Sequence, residues 1–293
     1  MDLVSVIIPC YNHEKYIERC LQSILDDKYE NKEIIIIDDG SKDNSVEVIR
    51  NFIKFHDKYK NIIRLYTQEN NGVVKTLNRL VDLANGKYIA IIASDDELKN
   101  DGIFNRVEYL ESHPDKMAVI GNAIVFDNDD KVLKENDAVY LFIAKKKLLN
   151  NKYLNLELTL QWSVVGPCLL LKKDVYQKVG KYNESYTVED RDFYLRLIEN
   201  NMLGYLDSTV AAYRVHGLNM SLGGGSNRVR IECAKINKAH ANFHSNLIEK
   251  IFLSSYSLDK LFLEKKLIVC YWIYKIFRFT FISIYRNILS IFS

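Results

Sequence analysis

The sequence predicts an α/β fold with a mainly parallel sheet flanked by helices, and three observations support this prediction. Short apolar runs alternate with stretches in which apolar residues recur every three or four positions. Runs such as EIIIID are continuously apolar, which is typical of strands that are covered on both faces. Acidic residues directly follow two of these runs, at the sheet edge where ligands bind in folds of this kind.

The predicted elements follow one another regularly over the first 93 residues. The predicted strands comprise residues 4–9, 33–38, 62–67 and 87–93. The predicted helices lie between them, at residues 14–27, 46–53 and 73–81. Because each strand is followed by a helix, the connections favour parallel pairing of the strands.

Beyond about residue 125 the alternation becomes less regular. We expect a turn at 128–130, a helix over 138–160 that is basic at 145–147, a strand at 168–173 followed by a helix, an amphipathic helix within 187–200 and a flexible glycine-rich loop at 223–226. Helical sequence then continues to the end. The simplest division is one globular domain over residues 1–227 and a helical extension over residues 228–293.

The composition is that of an ordinary globular protein, with 48% hydrophobic and 27% charged residues. A net charge of +2 gives no general attraction to nucleic acid. The five cysteines have no metal-binding spacing and are expected to be core residues in a reducing compartment. The N-terminal segment has no signal-peptide pattern, so a cytoplasmic location is expected.

The C-terminal segment 258–293 combines many aromatic side chains with the basic residues Lys265, Lys275, Arg278 and Arg286. On a continuous helix these four would fall within a sector of roughly 140°, opposite much of the aromatic surface. This pattern predicts a helix that lies on an anionic membrane surface, whereas the alternative is a helix packed on the domain or on a second subunit. The run 267–285 is interrupted by charges and is predicted to be too short to span a bilayer.

Two acidic pairs are predicted to share one edge of the sheet. Asp38 and Asp39 end the second strand, and Asp95 and Asp96 follow the fourth. Because the carboxyl ends of parallel strands meet at one edge, a divalent cation with oxygen ligands would relieve the repulsion among these carboxylates. The other interpretation is that residues 38–45 form only a strand–turn–helix connection with a capping side chain.

Five segments together resemble the family 2 glycosyltransferases of the GT-A fold. They are VSVIIPCYNHEKYIERCLQSIL, EIIIIDDGSKDNS, NNGVVKTLN, GKYIAIIASDDEL and VEDRDFYLRL, and the resemblance extends from residue 4 to about residue 221. It implies an inverting enzyme that moves a sugar from a nucleoside-diphosphate donor to an acceptor hydroxyl. It also implies a nucleotide-sugar-binding half over 1–125 and an acceptor-binding half over 126–227. The chain has no Gln-x-x-Arg-Trp segment, which favours the addition of single sugars.

The resemblance also assigns candidate residues to the donor and to a metal ion. Asp39 would face the base of the nucleotide, and Asp38 would support its loop. The donor-binding candidates are Pro9, Tyr11, Asn12, Asp38, Asp39, Asn71, Gly72, Ser94 and Asp95. The candidate ligands of Mn²⁺ or Mg²⁺ are Asp95, Asp96 and His216, with Asp96 slightly favoured as the direct carboxylate ligand. The family motif is commonly Asp-x-Asp, and Ala93 stands here where the first aspartate is often found.

The candidate catalytic base is Asp190, because the resemblance places the base in a Glu-Asp pair at this point of the chain. It would take the proton from the acceptor hydroxyl as that oxygen attacks the anomeric carbon. Acidic residues in the first turn of a helix are also explained by the helix dipole alone. Glu189 and Trp162 are weaker candidates for acceptor contacts, and a buried structural role is the alternative for Trp162.

The predicted donor is a UDP-hexose or UDP-N-acetylhexosamine, with a dTDP-sugar as a further choice. The predicted acceptor is a glycan, lipid-linked at the inner membrane face, in the synthesis of a bacterial surface polysaccharide such as lipopolysaccharide or capsule. One alternative is a non-catalytic module that binds a sugar nucleotide or a partner protein. Another is a receiver-like phosphoacceptor domain, which the length beyond residue 125 and the acids at 189–190 disfavour.

Overall fold

The computed structural model describes residues 1–99, 101–134, 149, 152–160, 164–216, 227–243 and 246–291. Within these residues, the strands form one mixed sheet. The strands are β1 (Val4–Cys10), β2 (Lys32–Asp38), β3 (Ile63–Thr67), β4 (Tyr88–Ile91), β5 (Glu97–Leu98), β6 (Ala118–Phe126), β7 (Val132–Lys134), β8 (Leu169–Lys172) and β9 (Leu203–Arg214).

The sheet has a parallel half and a mixed half. The strand order is β3-β2-β1-β4-β8-β6-β9-β5, and β7 pairs with β6. The first four strands pair in parallel, with Ile7 opposite both Ile35 of β2 and Ile91 of β4. β8 is antiparallel to both β4 and β6, whereas β6 and β9 pair in parallel. The predicted α/β fold with a mainly parallel sheet and flanking helices is therefore confirmed.

Helices cover the sheet and continue to the C-terminus. They are α1 (Ile17–Asp26), α2 (Ser45–Phe55), α3 (Val73–Leu83), α4 (Gly102–Ser112), α5 (Leu154–Leu160), α6 (Val175–Val179), α7 (Glu189–Glu199), α8 (Asn227–His240), α9 (Leu247–Glu264) and α10 (Ile268–Ile291). Two short 3₁₀ turns lie at Asp57–Tyr59 and Gly166–Cys168.

Alternating residues of the central strands enter two different cores. Ile8 packs in one core with Leu21 of α1 and with residues of α2 and α4. Ile7 enters the other core with Leu77 of α3 and Phe193 of α7. This follows from the strand geometry, in which successive side chains point to opposite faces of the sheet. As a consequence, α3 and α7 cover the same face.

The predictions for the first 93 residues are confirmed to within a few residues, whereas the second half holds elements that they lack. The long strands β6 and β9 have no counterpart among the predicted elements. The predicted helix over 138–160 is observed only as α5, and its basic segment 145–147 lies outside the described residues. The glycine-rich segment 223–226 and Trp162 also lie outside the described residues.

The cysteine prediction is confirmed for three of the five residues. Cys10, Cys20 and Cys168 are buried, but Cys233 is partly exposed and Cys270 is exposed on α10. The exposed Cys270 corrects the expectation that all five belong to the core. Exposure follows from its place on α10, whose outer face is not covered by other described elements.

Helix α10 corrects the predicted position of the basic residues in the C-terminal segment. Arg278 makes two hydrogen bonds to Asp259 of α9, at 2.9 and 2.8 Å. Arg286 pairs with Glu157 of α5, and both side chains are buried. Lys265 follows the end of α9, so a break separates it from α10. Charged residues therefore hold α10 against the protein instead of facing outward.

The outward face of α10 is apolar. Val269 and Phe277 are each 71% exposed, and Ile276 is 64% exposed. Within the described residues, one segment, Ile268–Leu289, has the length and the apolar composition needed to cross a membrane. Only 11% of its most apolar stretch is buried in the protein. The helix thus extends beyond the predicted run 267–285, and Lys275 and Arg278 interrupt its apolar sequence as predicted. One such helix is by itself weak support for a membrane span.

Candidate active site

The loops that follow β1 and β2 are fastened to each other. The backbone N–H of Asn12 donates to Ser41 Oγ at 2.9 Å, and Asn12 Oδ1 accepts from the Lys42 N–H at 2.7 Å. Asp38 accepts from the N–H and the hydroxyl of Ser41, at 3.0 and 2.5 Å. Asn12 adopts a left-handed backbone conformation, with φ of 55°, which asparagine tolerates better than most residues. Asp38 thus holds the turn that carries Ser41, and Tyr11, which precedes Asn12 in the chain, is 44% exposed.

Asp39 fastens the segment before α3 to the end of β2. Its carboxylate accepts from the N–H groups of Asn71 and Gly72, each at 2.9 Å, and from Gln68 Nε2 at 2.7 Å. Gly72 has a φ of 85° and open space where a Cβ would lie. These contacts bring the predicted residues Asp39, Asn71 and Gly72 together. A contact between Asp39 and a nucleotide base stays a prediction.

The positive partner of the acidic loop 95–97 is Arg214, at the end of β9. Its backbone N–H donates to Asp96 Oδ1 at 2.9 Å, and its guanidinium donates to the Asp95 carbonyl and to Glu97, each at 3.1 Å. Arg214 is only 2% exposed. Arg19 adds a second ion pair to Glu97, at 2.8 Å. The protein itself therefore offsets much of the negative charge in this loop.

Asp95, in contrast, faces two histidines. His216 Nε2 lies 2.8 Å from Asp95 Oδ2, and His13 Nδ1 lies 3.8 Å from Asp95 Oδ1. His13 Nδ1 also lies 2.7 Å from the hydroxyl of Ser94, which is completely buried. One nitrogen of each histidine and one oxygen of Asp95 lie within 4.8 Å of one another, and Asp96 is not part of this group.

The two adjacent aspartates differ in their ionisation. Burial alone would raise the pKa of Asp95, but the hydrogen bond from His216 and the nearby His13 outweigh it, so its pKa lies below the ordinary value. Burial, followed by the charge of Asp95, raises the pKa of Asp96 well above the ordinary value. Burial likewise lowers the pKa of His13. The negative charge of the pair is therefore concentrated on Asp95.

Glu189 and Asp190 begin α7, as predicted. Asp190 Oδ1 accepts from the Arg191 N–H at 2.6 Å, and both acids are partly buried. Burial, followed by the charge of Asp190, raises the pKa of Glu189 to about 8. The segment before α7 is attached to α3 by Asn78, whose side chain exchanges two 3.0 Å hydrogen bonds with the backbone of Tyr182.

The buried thiol of Cys168 lies close to both the acidic loop and α7. Burial raises the pKa of Cys168 to about 12, and Asp96 is close enough to contribute to that rise. Burial also raises the pKa of Tyr194, one turn beyond Asp190, with contributions from Cys168 and Asp190.

Two further residues of α7, Arg191 and Asp192, are buried. Arg191 donates to Asn237 of α8 at 2.9 Å and to two carbonyl groups of α5. Asp192 pairs with Arg196, at 2.8 Å, and with His240 of α8, at 2.9 Å. Partners supplied by α8 therefore remove these charges from solvent.

Sequence reasoning missed His13 as a central member of the site, and it singled out Arg214 only as a weaker candidate beside His216. His13 stands inside CYNHEKY, directly after β1 and at the predicted ligand edge, and this position is the signal that could have identified it. Arg214 had only a weak signal, because its contacts to the acidic loop join residues more than 110 positions apart.

The sequence matches the model of a known protein family, described as "Glycosyl transferase family 2", over residues 5–180. The chain belongs to this family. The match covers more than half of the chain, including β1 to β4, the acidic loop and β8. The predicted family is thereby confirmed; four of the five sequence motifs lie within the matched residues except for Val4, and VEDRDFYLRL follows them.

Curated relatives agree with this membership. The chain is 31% identical over 183 residues to glycosyltransferase GlyG of Streptococcus pneumoniae, covering 61% of this chain and 59% of GlyG. It is 28% identical over 191 residues to poly-beta-1,6-N-acetyl-D-glucosamine synthase of Staphylococcus epidermidis, covering 64% of this chain and 43% of that protein. The chain thus spans about half the length of these curated relatives.

Among solved structures, TarS 1–349 of Staphylococcus aureus, in complex with UDP-GlcNAc, has a similar fold. The TM-score is 0.63 at 18% identity, covering 90% of this chain and 72% of the TarS chain. At this level of identity the likeness concerns the fold alone. It agrees with the α/β architecture described above.

Proposed function

We propose that this chain is an inverting glycosyltransferase that transfers single sugars from a nucleoside-diphosphate donor to a hydroxyl group of a glycan. The observation that carries the proposal is that β1, β2 and β4, whose ends carry Asn12, Asp38 and Asp95, are direct neighbours in the sheet of a family 2 chain. Ligands of open α/β sheets bind in the crevice beyond the carboxyl ends of such strands.

The donor that we propose is a UDP-hexose or UDP-N-acetylhexosamine. TarS, which shares the fold, is in complex with UDP-GlcNAc in its solved structure. The exposed ring of Tyr11 and the open space at Gly72 leave room for a base and ribose. Pro9, Asn12, Asp38 and Asp39 would form the rest of the nucleotide pocket through the loops that they hold, with Asn71 and Ser94 as further members.

The catalytic base that we propose is Asp190. Its carboxylate would accept the proton of the acceptor hydroxyl as that oxygen attacks the anomeric carbon. Glu189 beside it has a pKa raised to about 8, so it is largely protonated at neutral pH and adds no second negative charge. A carboxylic acid that is neutral at pH 7 can donate a hydrogen bond beside a charged base.

The residues at the acidic loop fit a divalent cation, Mn²⁺ or Mg²⁺. Asp95 supplies a charged oxygen and His216 an imidazole nitrogen, 2.8 Å apart, and both are types of metal ligand. A cation held there would supply positive charge for the departing diphosphate. Asp96 has one carboxylate oxygen engaged by the Arg214 N–H and would support the loop.

The test combines nucleotide binding with turnover. We expect titration calorimetry to show UDP binding that strengthens with Mn²⁺, and weaker binding of dTDP. With UDP-GlcNAc or UDP-glucose as donor and water as acceptor, Asp190→Asn should lower UDP release by about 10²–10⁴-fold, because the base is lost. UDP affinity should be unchanged. Asp57→Asn, at an exposed surface ion pair, is the matched control.

Two outcomes would contradict the proposal in different ways. If the folded protein bound neither UDP nor dTDP with Mn²⁺ present, the transferase assignment would fall. If UDP bound but Asp190→Asn released UDP as fast as the unmodified protein, the non-catalytic sugar-nucleotide module would be the better assignment. The intact Glu189-Asp190 pair at the start of α7 favours the enzyme.

We further propose that the helical extension 228–293 places the catalytic domain, residues 1–227, on the inner face of a membrane. The exposed side of α10 is apolar along its length, and Lys275 lies 4.9 Å from the Trp272 ring at its edge. An apolar face bordered by Trp and basic residues is typical of helices that lie in the membrane interface. Because Arg278 and Arg286 fasten α10 to α9 and α5, the helix lies along the protein.

Such an orientation fits a lipid-linked acceptor in bacterial surface-polysaccharide synthesis. Co-sedimentation with phosphatidylglycerol/phosphatidylethanolamine vesicles tests the lipid contact. Replacing Ile276 and Phe277 by serine should weaken vesicle binding by at least about 100-fold, because each large apolar side chain contributes roughly 1.5–3 kcal/mol when removed from water. Phe55→Ser, at an 82% exposed position of α2, is the control.

The alternative to a membrane at the apolar face of α10 is a second copy of the chain. Absence of vesicle binding, together with a dimer that the Ile276 and Phe277 substitutions dissociate, would replace the membrane by a homo-oligomer. Light scattering of the same variants measures that outcome.

A further inference from the structure

The arrangement around Asp95 includes a histidine to which the sequence motifs assigned no role. His13 follows the left-handed Asn12 at the end of β1, and its backbone N–H donates to the buried Ser45 Oγ at 2.9 Å. Its side chain is 20% exposed, whereas those of Asp95 and His216 are 11% and 2% exposed. His13 is therefore the member of the group nearest to solvent.

The ring of His13 is held in one orientation by its neighbours. Nδ1 lies 2.7 Å from Ser94 Oγ, and the ring meets those of Tyr16 and His216 edge-on, at 5.8 and 5.9 Å between centroids. Metal-binding histidines commonly donate one ring N–H to an oxygen, which fixes the ring and leaves the other nitrogen to coordinate. Within the described part of the chain, His13 Nε2 has no hydrogen-bond partner.

We propose that His13 is a direct ligand of the metal ion, so that the site is a two-histidine, one-carboxylate set of His13, Asp95 and His216. This inference rests on the proposed function, which supplies the reason for a metal at this edge. Donor atoms about 2.1 Å from a common ion lie roughly 3–3.4 Å apart. One nitrogen of each histidine and one oxygen of Asp95 lie within 4.8 Å of one another, so small side-chain movements bring them to this spacing.

The proposal also predicts which metal is bound. Mg²⁺ prefers oxygen ligands, whereas imidazole nitrogen favours first-row transition ions. A set with two nitrogens therefore selects Mn²⁺ or a softer ion over Mg²⁺. It also explains how the site can lack the first aspartate of an Asp-x-Asp motif, because His13 provides the third protein ligand in place of Ala93.

The test measures the metal directly, in the presence of saturating UDP. We expect Mn²⁺ to bind at least about ten times more tightly than Mg²⁺, because of the two nitrogen ligands. His13→Gln should weaken Mn²⁺ about 10–100-fold, as should His216→Gln. Electron spin-echo modulation from ¹⁴N should report two coupled imidazoles in the unmodified protein and one in each variant. His56→Gln, whose histidine stacks on Phe52, is the control.

The outcomes separate this inference from the proposed function. Unchanged Mn²⁺ affinity and unchanged nitrogen modulation in His13→Gln, with both reduced in His216→Gln, would overturn the role of His13 and leave the transferase intact. Failure of the unmodified protein to bind Mn²⁺ with UDP would overturn both the ligand set and the proposed metal dependence. Circular dichroism of His13→Gln shows whether the variant is folded.

Discussion

A buried histidine couples α7 to the C-terminal extension, and its replacement should change how stability depends on pH. His240 of α8 is 7% exposed, with Nδ1 2.5 Å from Glu199 and Nε2 2.9 Å from Asp192. Both carboxylates belong to α7, and Arg196 pairs with the second oxygen of Asp192. The variant to make is His240→Gln, which keeps the shape and removes the titratable charge.

The magnitude follows from the pKa of His240. Burial lowers it, but the hydrogen bonds to Asp192 and Glu199 outweigh burial and raise it from 6.5 to about 8. This rise of the His240 pKa by 1.5 (8 minus 6.5) corresponds to about 2 kcal/mol of folding stability. Because the folded-state pKa lies above the unfolded one, this stability is fully present below about pH 6.5 and is lost as pH rises through about 8.

Urea unfolding at pH 6, 7, 8 and 9 measures this effect. The unmodified protein should lose about 2 kcal/mol more of its free energy of unfolding between pH 6 and pH 9 than His240→Gln does. His113→Gln, at the end of α4, is the control and should leave the pH profile unchanged. A difference between wild type and His240→Gln that stays constant over this range would refute the assignment of a charged His240.

Two further predictions concern the tail contact and a loop. Arg286→Met should destabilise the protein by about 3–5 kcal/mol, because it removes the arginine that pairs with the fully buried Glu157. Adding Glu157→Leu should restore most of the loss in thermal unfolding. Equal losses in the single and double variants would contradict this. Gly40→Ala should cost about 1–3 kcal/mol in urea unfolding, because φ is +78° and a Cβ would lie 2.8 Å from the Asn70 nitrogen. Gly166→Ala, with open space around the Cβ position, should be nearly neutral, and equal effects of the two alanines would contradict the strain argument.

The first half of the fold could be predicted because its pattern is local. In β1 to β4 each strand is a continuous apolar run, and each intervening helix has its own periodicity. β6 and β9 lack this signal. β6 contains Gly121 and Asn122, and the middle of β9 is only partly buried. Their register, with Ala118 opposite Leu203, joins segments far apart in the chain.

The orientation of α10 also could not be predicted from the sequence, because it depends on contacts with distant residues. The sequence identifies its basic and apolar sectors but not their partners. Arg286 pairs with a residue 129 positions away, and Arg278 with one 19 positions away. Because both partners are acidic and buried, the basic sector turns inward and the apolar sector outward. The burial of these two ion pairs therefore determines which face of α10 is exposed.

In the acidic loop 95–97, contacts with distant residues give neighbouring acidic side chains different roles. Asp96 accepts from the Arg214 N–H, and Glu97 pairs with Arg19, Lys99 and Arg214, so both are committed to holding the loop. Asp95 alone turns toward the histidines. A carboxylate whose charge is not fully neutralised by basic side chains of the protein can bind a cation from solvent. Under the proposed function, Arg214 therefore acts as a positioning residue, because it holds Asp96 and Glu97 away and leaves Asp95 as the carboxylate for a metal ion.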